Sequence, residues 1–172
     1  NYFSLLMIAG NETTRHTIST GMLALMQHPD QLELLRDEPD LIPAATEEIL
    51  RWATPVMHFR RTATRDTELR GQAIREGDKV VTWYVSANRD ETRFADPYRF
   101  DVMRPNAHEH VTFGPGGPHF CLGAHLAKLE TKILFQELLP RLKDIEPAGP
   151  IERMRSNFVN GLKHMPVRVT LA

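Results

Sequence analysis

Apolar side chains recur at helical spacing over the first part of the chain. Leu5, Ile8 and Leu25 belong to this pattern, and no proline interrupts it before Pro29. A period of 3.6 residues sustained over this length is typical of a helix with a buried face. The pattern therefore predicts one long helix from Tyr2 to Gln27.

The same periodicity predicts three further helices. The first begins at Pro29, a residue suited to the first helical position, and continues through Leu35. The second begins near Pro43 and runs to Thr54-Pro55. The third extends from about Leu122 to Leu139.

Short segments separated by turn residues occupy the middle of the chain. They are Phe59–Thr64, Glu68–Ile74 and Lys79–Tyr84. Gly71 and Glu76-Gly77-Asp78 punctuate them, and this arrangement is typical of hairpins.

The remaining pattern completes the predicted fold. Residues 89–110 are rich in turn-forming residues and show little periodicity, so we expect a long ordered meander there. Val167, Val169 and Leu171 alternate with other residues, which predicts a strand pair. The elements together indicate a mainly α fold with small β-sheets, of the α+β class. Because there is no repeat and no linker, we expect residues 1–172 to form a single structural unit.

Composition restricts the class of protein without identifying it. The chain has 172 residues, with 21 Lys and Arg against 22 Asp and Glu, so its net charge is −1. A near-neutral chain lacks the basic field that attracts phosphates, and we expect no nucleic-acid partner. No apolar run approaches the about 20 residues that a bilayer span requires, so we expect no membrane span.

Cys121 is the only cysteine in the chain. A single cysteine precludes an internal disulfide and is consistent with a reducing compartment, so we expect a cytoplasmic protein. The chain begins at Asn1, inside the first helical pattern, and we expect it to be a piece of a longer protein.

A Gly/Pro loop precedes Cys121 and carries the strongest chemical signal. Residues 113–118 read Phe-Gly-Pro-Gly-Gly-Pro, and His119-Phe120-Cys121-Leu122-Gly123 follow; we call residues 113–123 the cysteine loop. Its glycines allow the backbone to approach a bound group closely, and the positive end of the next helix favours a thiolate, the form that binds metal. The alternative is a buried structural cysteine at a helix start, which would need no such loop.

A second hypothesis from the same region is a zinc-binding interaction module. Its ligands would be His119, Cys121 and His125, since imidazole and thiolate are usual zinc ligands. His119 and Cys121 are closer in sequence than paired zinc ligands usually are, and there is no second cysteine. His108 and His110 are interpreted as solvated loop residues.

Two polar features lie within predicted helices. Glu48 and Arg51 share one helix face, a spacing common in surface ion pairs. Gly10 to Thr14 place poor helix formers and polar groups where propensity and burial both favour Ala or Leu. This stretch predicts a local opening of the helical backbone ladder; the alternative is a tolerated kink with its polar groups facing solvent.

Taken in order, three motifs resemble the cytochrome P450 superfamily of haem-thiolate monooxygenases. They are Ala9-Gly10-Asn11-Glu12-Thr13-Thr14, Glu48-Ile49-Leu50-Arg51 and the cysteine loop. The resemblance covers essentially the whole chain but only the C-terminal part of the family's fold, from the central helix that crosses the haem through the helix after the cysteine loop. It implies that the earlier helices and the loops over the substrate are missing.

The resemblance implies how the haem face is built. Cys121 would be the axial thiolate on the iron of haem b, where its electron donation promotes O–O cleavage. Glu12 and Thr13 would manage proton delivery to dioxygen on the opposite face. Ala9 and Gly10 would leave room for the dioxygen.

The other implied site residues fall into three groups. Those that would contact the haem are Phe113, Leu122 and Gly123 near the ring and Arg61 and His119 at the propionates. Glu48 and Arg51 would lock their helix to the meander, with either Arg99 or Arg104 as third partner. Those that would line an apolar substrate pocket are Val56, Met57, Phe158 and Val159.

One departure from the family pattern points to a subgroup. Phe113 lies eight residues before Cys121, one more than in the family's usual loop, and Gly114 takes the expected place. A similar lengthening is found in bacterial members that hydroxylate steroid side chains and methyl-branched lipids. The stretches Ser86–Asp90 and Asn160–Lys163 resemble the same group.

The implied function is insertion of one oxygen atom from O2 into a C–H bond of a small apolar substrate, a lipid or steroid-like molecule. There is no flavin or nucleotide motif, so we expect an external electron donor, a ferredoxin with its reductase. It would dock on the thiolate side, where Lys128 and Lys132 lie. We expect residues 1–172 alone to be inactive, because they would supply only half of a haem pocket.

Overall fold

The computed structural model describes residues 2–172. Its helices, α1 to α5 in chain order, are Tyr2–Gln27, Pro29–Asp37, Ile42–Ala53, Tyr84–Ala87 and Ala124–Leu138. The mainly α fold with small sheets is confirmed, although the sequence pattern did not predict the short helix α4. Within residues 2–172, no helix combines the length and the apolar character that crossing a bilayer requires.

The strands form small antiparallel sheets of two strands each. The strands β1 to β8 are His58–Thr62, Thr67–Leu69, Gln72–Ile74, Lys79–Trp83, Leu142–Pro147, Glu152–Arg153, Leu162–His164 and Val167–Leu171. β1 pairs with β4, β2 with β3, β5 with β8, and β6 with β7. The hairpin indicated by Gly71 in the segment 68–74 is present as β2 and β3, because Arg70 and Gly71 adopt left-handed backbone angles, with φ of 51° and 80°.

The main core lies where α1, α3 and α5 meet. Gly21 of α1 marks the closest approach to α3, because a Cβ there would come within 2.6 Å of Ile49 Cγ2. This contact lets the C-terminal half of α1 pack tightly, while its N-terminal half stays exposed. The most deeply buried apolar side chains include Leu25, Leu35, Ile42, Ile49, Phe100, Phe135 and Leu139.

α1 continues as one helix through its polar middle. The helix is unbroken from Tyr2 to Gln27, so the predicted opening of the backbone ladder is not seen. The Thr13 hydroxyl donates to the Ala9 carbonyl one turn earlier, at 2.7 Å. A threonine bonded in this way keeps its polar group satisfied without interrupting the helix.

Backbone turns within the meander and side-chain hydrogen bonds at its ends order this part of the chain. The Asn88 amide donates to the hydroxyls of Thr54 and Thr112, at 2.8 and 2.9 Å. Its oxygen accepts from the Val111 N–H at 2.8 Å. Asn88 therefore ties the end of α3 to the chain that enters the cysteine loop.

Candidate functional site

One cavity of about 450 Å³ joins α1, the end of α3, β1 and the cysteine loop. α1 contributes Ala9 and Thr13, and the cysteine loop contributes Cys121 and Phe113. The fold thus brings together residues from opposite ends of the sequence. Further residues of the wall are Thr17, Val56, Phe59, Arg61, Tyr84 and His119.

The cysteine loop has a defined backbone conformation. The Cys121 N–H donates to the Phe113 carbonyl at 2.9 Å and closes the loop on itself. Gly114, Gly116 and Gly117 have φ angles of 92°, 104° and 79°. These lie in the left-handed region that glycine adopts without strain, so the loop conformation depends on its glycines.

Cys121 lies just before α5 rather than on the helix. α5 begins at Ala124, two residues later than predicted, with Gly123 as its N-cap. A Cβ on Gly123 would lie 4.0 Å from the Cys121 sulfur, so the Gly123 backbone runs beside the sulfur. Cys121 is exposed, so the alternative of a buried structural cysteine is wrong.

Some residues predicted on the haem face lie outside the cavity wall. Leu122 is 81% exposed. A Cβ on Gly10 would meet no atom of residues 2–172 within 4 Å, so no contact here requires glycine. The Glu12 carboxylate lies against Arg15 and His16 of its own helix.

The four residues predicted to line a substrate pocket divide into two layers. Val56 belongs to the cavity wall. Met57, Phe158 and Val159 lie behind it, since Val56 pairs with Val159 and the Met57 N–H donates to the Phe158 carbonyl at 2.9 Å. The Phe158 ring is 5.7 Å from the ring of Phe59, which is itself in the wall.

Glu48 and Arg51 form a fully buried pair, not a surface pair. Arg51 Nε and Nη2 donate to the two carboxylate oxygens of Glu48 at 2.6 and 2.8 Å. Arg104 is the third partner, with its Nε 3.2 Å from Glu48 Oε2. Arg99 contributes only its backbone carbonyl, which accepts from Arg104 at 2.7 Å.

The buried pair also reaches the meander. Arg51 Nη1 donates to the carbonyls of Asn88 and Pro97 at 2.7 and 3.0 Å. The Asp101 N–H donates to Glu48 at 3.0 Å. α3, the meander and the approach to the cysteine loop therefore share one polar network.

A second polar cluster joins α3 to α5 below the cysteine loop. Glu47 accepts from Lys128 Nζ at 2.8 Å and lies 3.2 Å from His110 Nε2. Burial opposes ionisation of Glu47, but the hydrogen bonds from His110 and Lys128 outweigh it and lower its pKa. The prediction of His110 as a solvated residue is wrong, because the ring is buried and the Thr112 N–H donates to its Nδ1.

The donor set of the cavity distinguishes between two kinds of metal site. Within residues 2–172, no three or more His, Cys, Asp and Glu side chains are grouped to hold a metal ion, so His119, Cys121 and His125 do not form a three-ligand cluster. The cavity offers one sulfur, two nitrogen-bearing side chains that can donate to carboxylates (Arg61 and His119), hydroxyl groups and apolar side chains. This set fits haem b, which takes one axial thiolate, partners for two propionates and apolar contacts.

Comparison with known proteins gives consistent matches along the chain. The sequence model of the family described as Cytochrome P450 matches residues 2–164. The chain is 49% identical over 168 residues to a methyl-branched lipid omega-hydroxylase of Mycobacterium tuberculosis, a match that covers 97% of this chain and 39% of that protein. It is 50% identical over 163 residues to a steroid C26-monooxygenase of Rhodococcus jostii, covering 95% of this chain and 34% of that protein.

A solved structure agrees in fold as well as in sequence. A cytochrome P450 from Novosphingobium aromaticivorans superimposes with a TM-score of 0.93 at 49% identity, over 96% of this chain and 42% of that one. The chain thus spans well under half the length of the curated relatives it matches. The matched residues include all three sequence motifs and the cavity that they enclose. The chain belongs to the cytochrome P450 family.

Proposed function

We propose that the whole protein carrying this chain is a haem-thiolate monooxygenase that inserts one oxygen atom of O2 into a C–H bond. The observation that carries the proposal is one cavity walled by Cys121 from the cysteine loop and by Thr13 from α1. Apolar wall residues and the lipid and steroid activities named for two relatives support a lipid or steroid-like substrate.

Cys121, Arg61 and His119 would hold the cofactor. When bound, haem b supplies the activation of dioxygen and the oxidising power for C–H cleavage. Cys121 would bind the iron as a thiolate, with the loop conformation and the Gly123 backbone fixing its position. Arg61 and His119 would donate to the propionates and neutralise their charge.

Thr13 and Glu12 would move protons on the side of α1. The Thr13 hydroxyl donates to the Ala9 carbonyl, which leaves its oxygen free to accept from water in the cavity. The Glu12 carboxylate is half exposed, and its pKa is lowered by the hydrogen bond from Arg15. An ionised carboxylate at the surface can take protons from solvent and pass them toward Thr13.

Electrons would come from outside the protein, from a ferredoxin and its reductase. Lys128 is an unsuitable docking charge because Glu47 already neutralises it. Lys132, one turn further along α5, would be the more available cation. We further propose a cytoplasmic location, and that residues 1–172 alone are inactive because they form only part of the haem enclosure.

Thr13→Ala tests the proton-transfer role in the full-length protein. We expect the fraction of electrons recovered in hydroxylated product to fall by about tenfold, less than the roughly hundredfold of a strong proton-transfer group, because water partly replaces the hydroxyl. Thr13→Ser keeps the hydroxyl and is the matched control. The measurement is product and hydrogen peroxide formed per NADH consumed. An unchanged ratio in Thr13→Ala would remove Thr13 from the proton path.

A further inference from the structure

His16 is a buried histidine with an incomplete set of hydrogen bonds. It lies one turn after Glu12 on α1 and has no exposed surface. Its Nε2 is 3.2 Å from Glu12 Oε2, yet neither ring nitrogen has an aligned hydrogen-bond partner within residues 2–172. An unpartnered buried polar group costs free energy that an apolar side chain would not. Filling space therefore does not account for a histidine at this position.

The segment before β7 encloses the other side of the ring. A Cβ on Gly161 would lie 2.3 Å from both Cγ and Nδ1 of His16, so no side chain fits between this segment and the imidazole. Gly161 is itself buried. On the open side, Glu12 Oε2 lies 3.2 Å from Nε2.

The protonation state of His16 suits a donor role. Burial lowers its pKa from 6.5, and Arg15 lowers it further, against the opposing effect of Glu12. The ring is therefore neutral at neutral pH and carries one N–H. Because Gly161 encloses Nδ1, that hydrogen is useful only on Nε2, which lies 3.2 Å from Glu12 Oε2 and would donate to it once the two groups align. The charged groups acting on the ring, Arg15 and Glu12, are both on α1.

Glu12 and His16 form a stripe along α1 beside the stripe of Ala9, Thr13 and Thr17, which lines the cavity. We propose that His16 is a positioning residue that holds the Glu12 carboxylate against α1, one residue before Thr13 in the sequence, through its Nε2–H. This inference rests on the function proposed above, in which Glu12 and Thr13 manage proton delivery. Arg15 also binds this carboxylate, but the Arg15 side chain is itself half exposed, whereas the His16 ring is buried and fixed in place.

Two amide variants separate positioning from packing. His16→Gln places an amide N–H near the position of Nε2, whereas His16→Asn places one near Nδ1, too short to reach Glu12. His16→Leu fills the space without a donor. All three are compared with wild type as full-length haem proteins, with a ferredoxin, its reductase and a methyl-branched fatty acid as the probe substrate.

The readout is product formed per NADH consumed, with the spectrum of the reduced carbonyl complex recorded for each protein. We expect His16→Asn and His16→Leu to lose about fivefold in product per NADH, the factor for one hydrogen bond of typical net strength, while His16→Gln retains the wild-type ratio. The spectrum should not change. Wild-type ratios in both His16→Asn and His16→Leu, or an equal loss in His16→Gln, would overturn the proposal.

Gly161→Ala provides an independent variant that leaves His16 in the sequence. Its Cβ must displace the imidazole, so we expect the same loss of product per NADH with the thiolate spectrum intact. A wild-type ratio in this variant would contradict the positioning role. A wild-type protein that lacks the thiolate spectrum would instead contradict the proposed function, so the two failures are distinguishable.

Discussion

At the scale of single residues, the buried Glu48 carboxylate is the centre of the network that supports the cysteine loop. It accepts from Arg51 and from the Asp101 N–H, and it lies against Arg104. Arg51 in turn reaches the Asn88 carbonyl. A buried charge of this kind is stable only while its partners remain, because removing one leaves an uncompensated charge in the interior.

Arg104→Ala should therefore destabilise the protein, whereas Arg99→Ala should not. We expect Arg104→Ala to lower the free energy of unfolding by about 3 kcal/mol, since it removes three hydrogen bonds to carbonyls of the meander together with the contact to Glu48. Arg99 is exposed and contributes only its carbonyl, which alanine keeps. Urea denaturation of the two full-length variants measures the difference. Equal losses in both variants would contradict the assignment of Arg104 as the third partner.

The sequence could predict part of this network. Helical spacing shows that Glu48 and Arg51 share a face, because periodicity is a local signal. Burial of the pair and the choice of Arg104 over Arg99 depend on contacts between distant segments, which leave no periodic signal in the chain. For the same reason, the sequence did not predict that the side chains of His110 and His16 are buried.

At the scale of elements, Glu47 connects α3 to both α5 and the meander. Its carboxylate contacts Lys128 on one side and His110 on the other.

The ends of the longest helix were predictable from the sequence, since α1 has the bounds that its apolar pattern indicates. The short helix α4 was not predictable, because four residues are too few to show a helical period. The Asn88 hydrogen bonds were not predictable either, because their partners are distant in the sequence.

Glu47 should make the folded state sensitive to acid. Its pKa is lowered from 4.5 in the folded state, so its stabilising contribution is fully present above that value and is lost as pH falls through the lower folded pKa. Glu47→Gln should lower stability at neutral pH and flatten its decline below about pH 4.5. Urea midpoints measured across that range test this.

The matched control for Glu47 is Glu130→Gln, which removes an exposed carboxylate from α5. It should leave both the neutral stability and the acid slope unchanged. If Glu47→Gln kept the wild-type acid slope, the cluster with Lys128 and His110 would not contribute to stability.

At the scale of the whole molecule, the apolar first turns of α1 and one apolar face of α5 remain exposed. Patches of this kind usually pack against other protein surface. The chain spans well under half of its relatives, and we expect these faces to be covered in the full-length protein. The exposed apolar side chains are Tyr2, Phe3, Leu5, Leu6, Met7 and Ile8 on α1, and Leu126, Leu129 and Ile133 on α5.

The spectrum of the reduced carbonyl complex of the full-length protein tests the central claim most directly. If Cys121 holds the haem iron as a thiolate, wild type should show a strongly red-shifted Soret band that Cys121→Ser lacks. Glu130→Gln, which changes an exposed side chain of α5 away from the cavity wall, should keep the band. A haem-loaded wild type without the red shift, or a Cys121→Ser variant that retains it, would contradict the account.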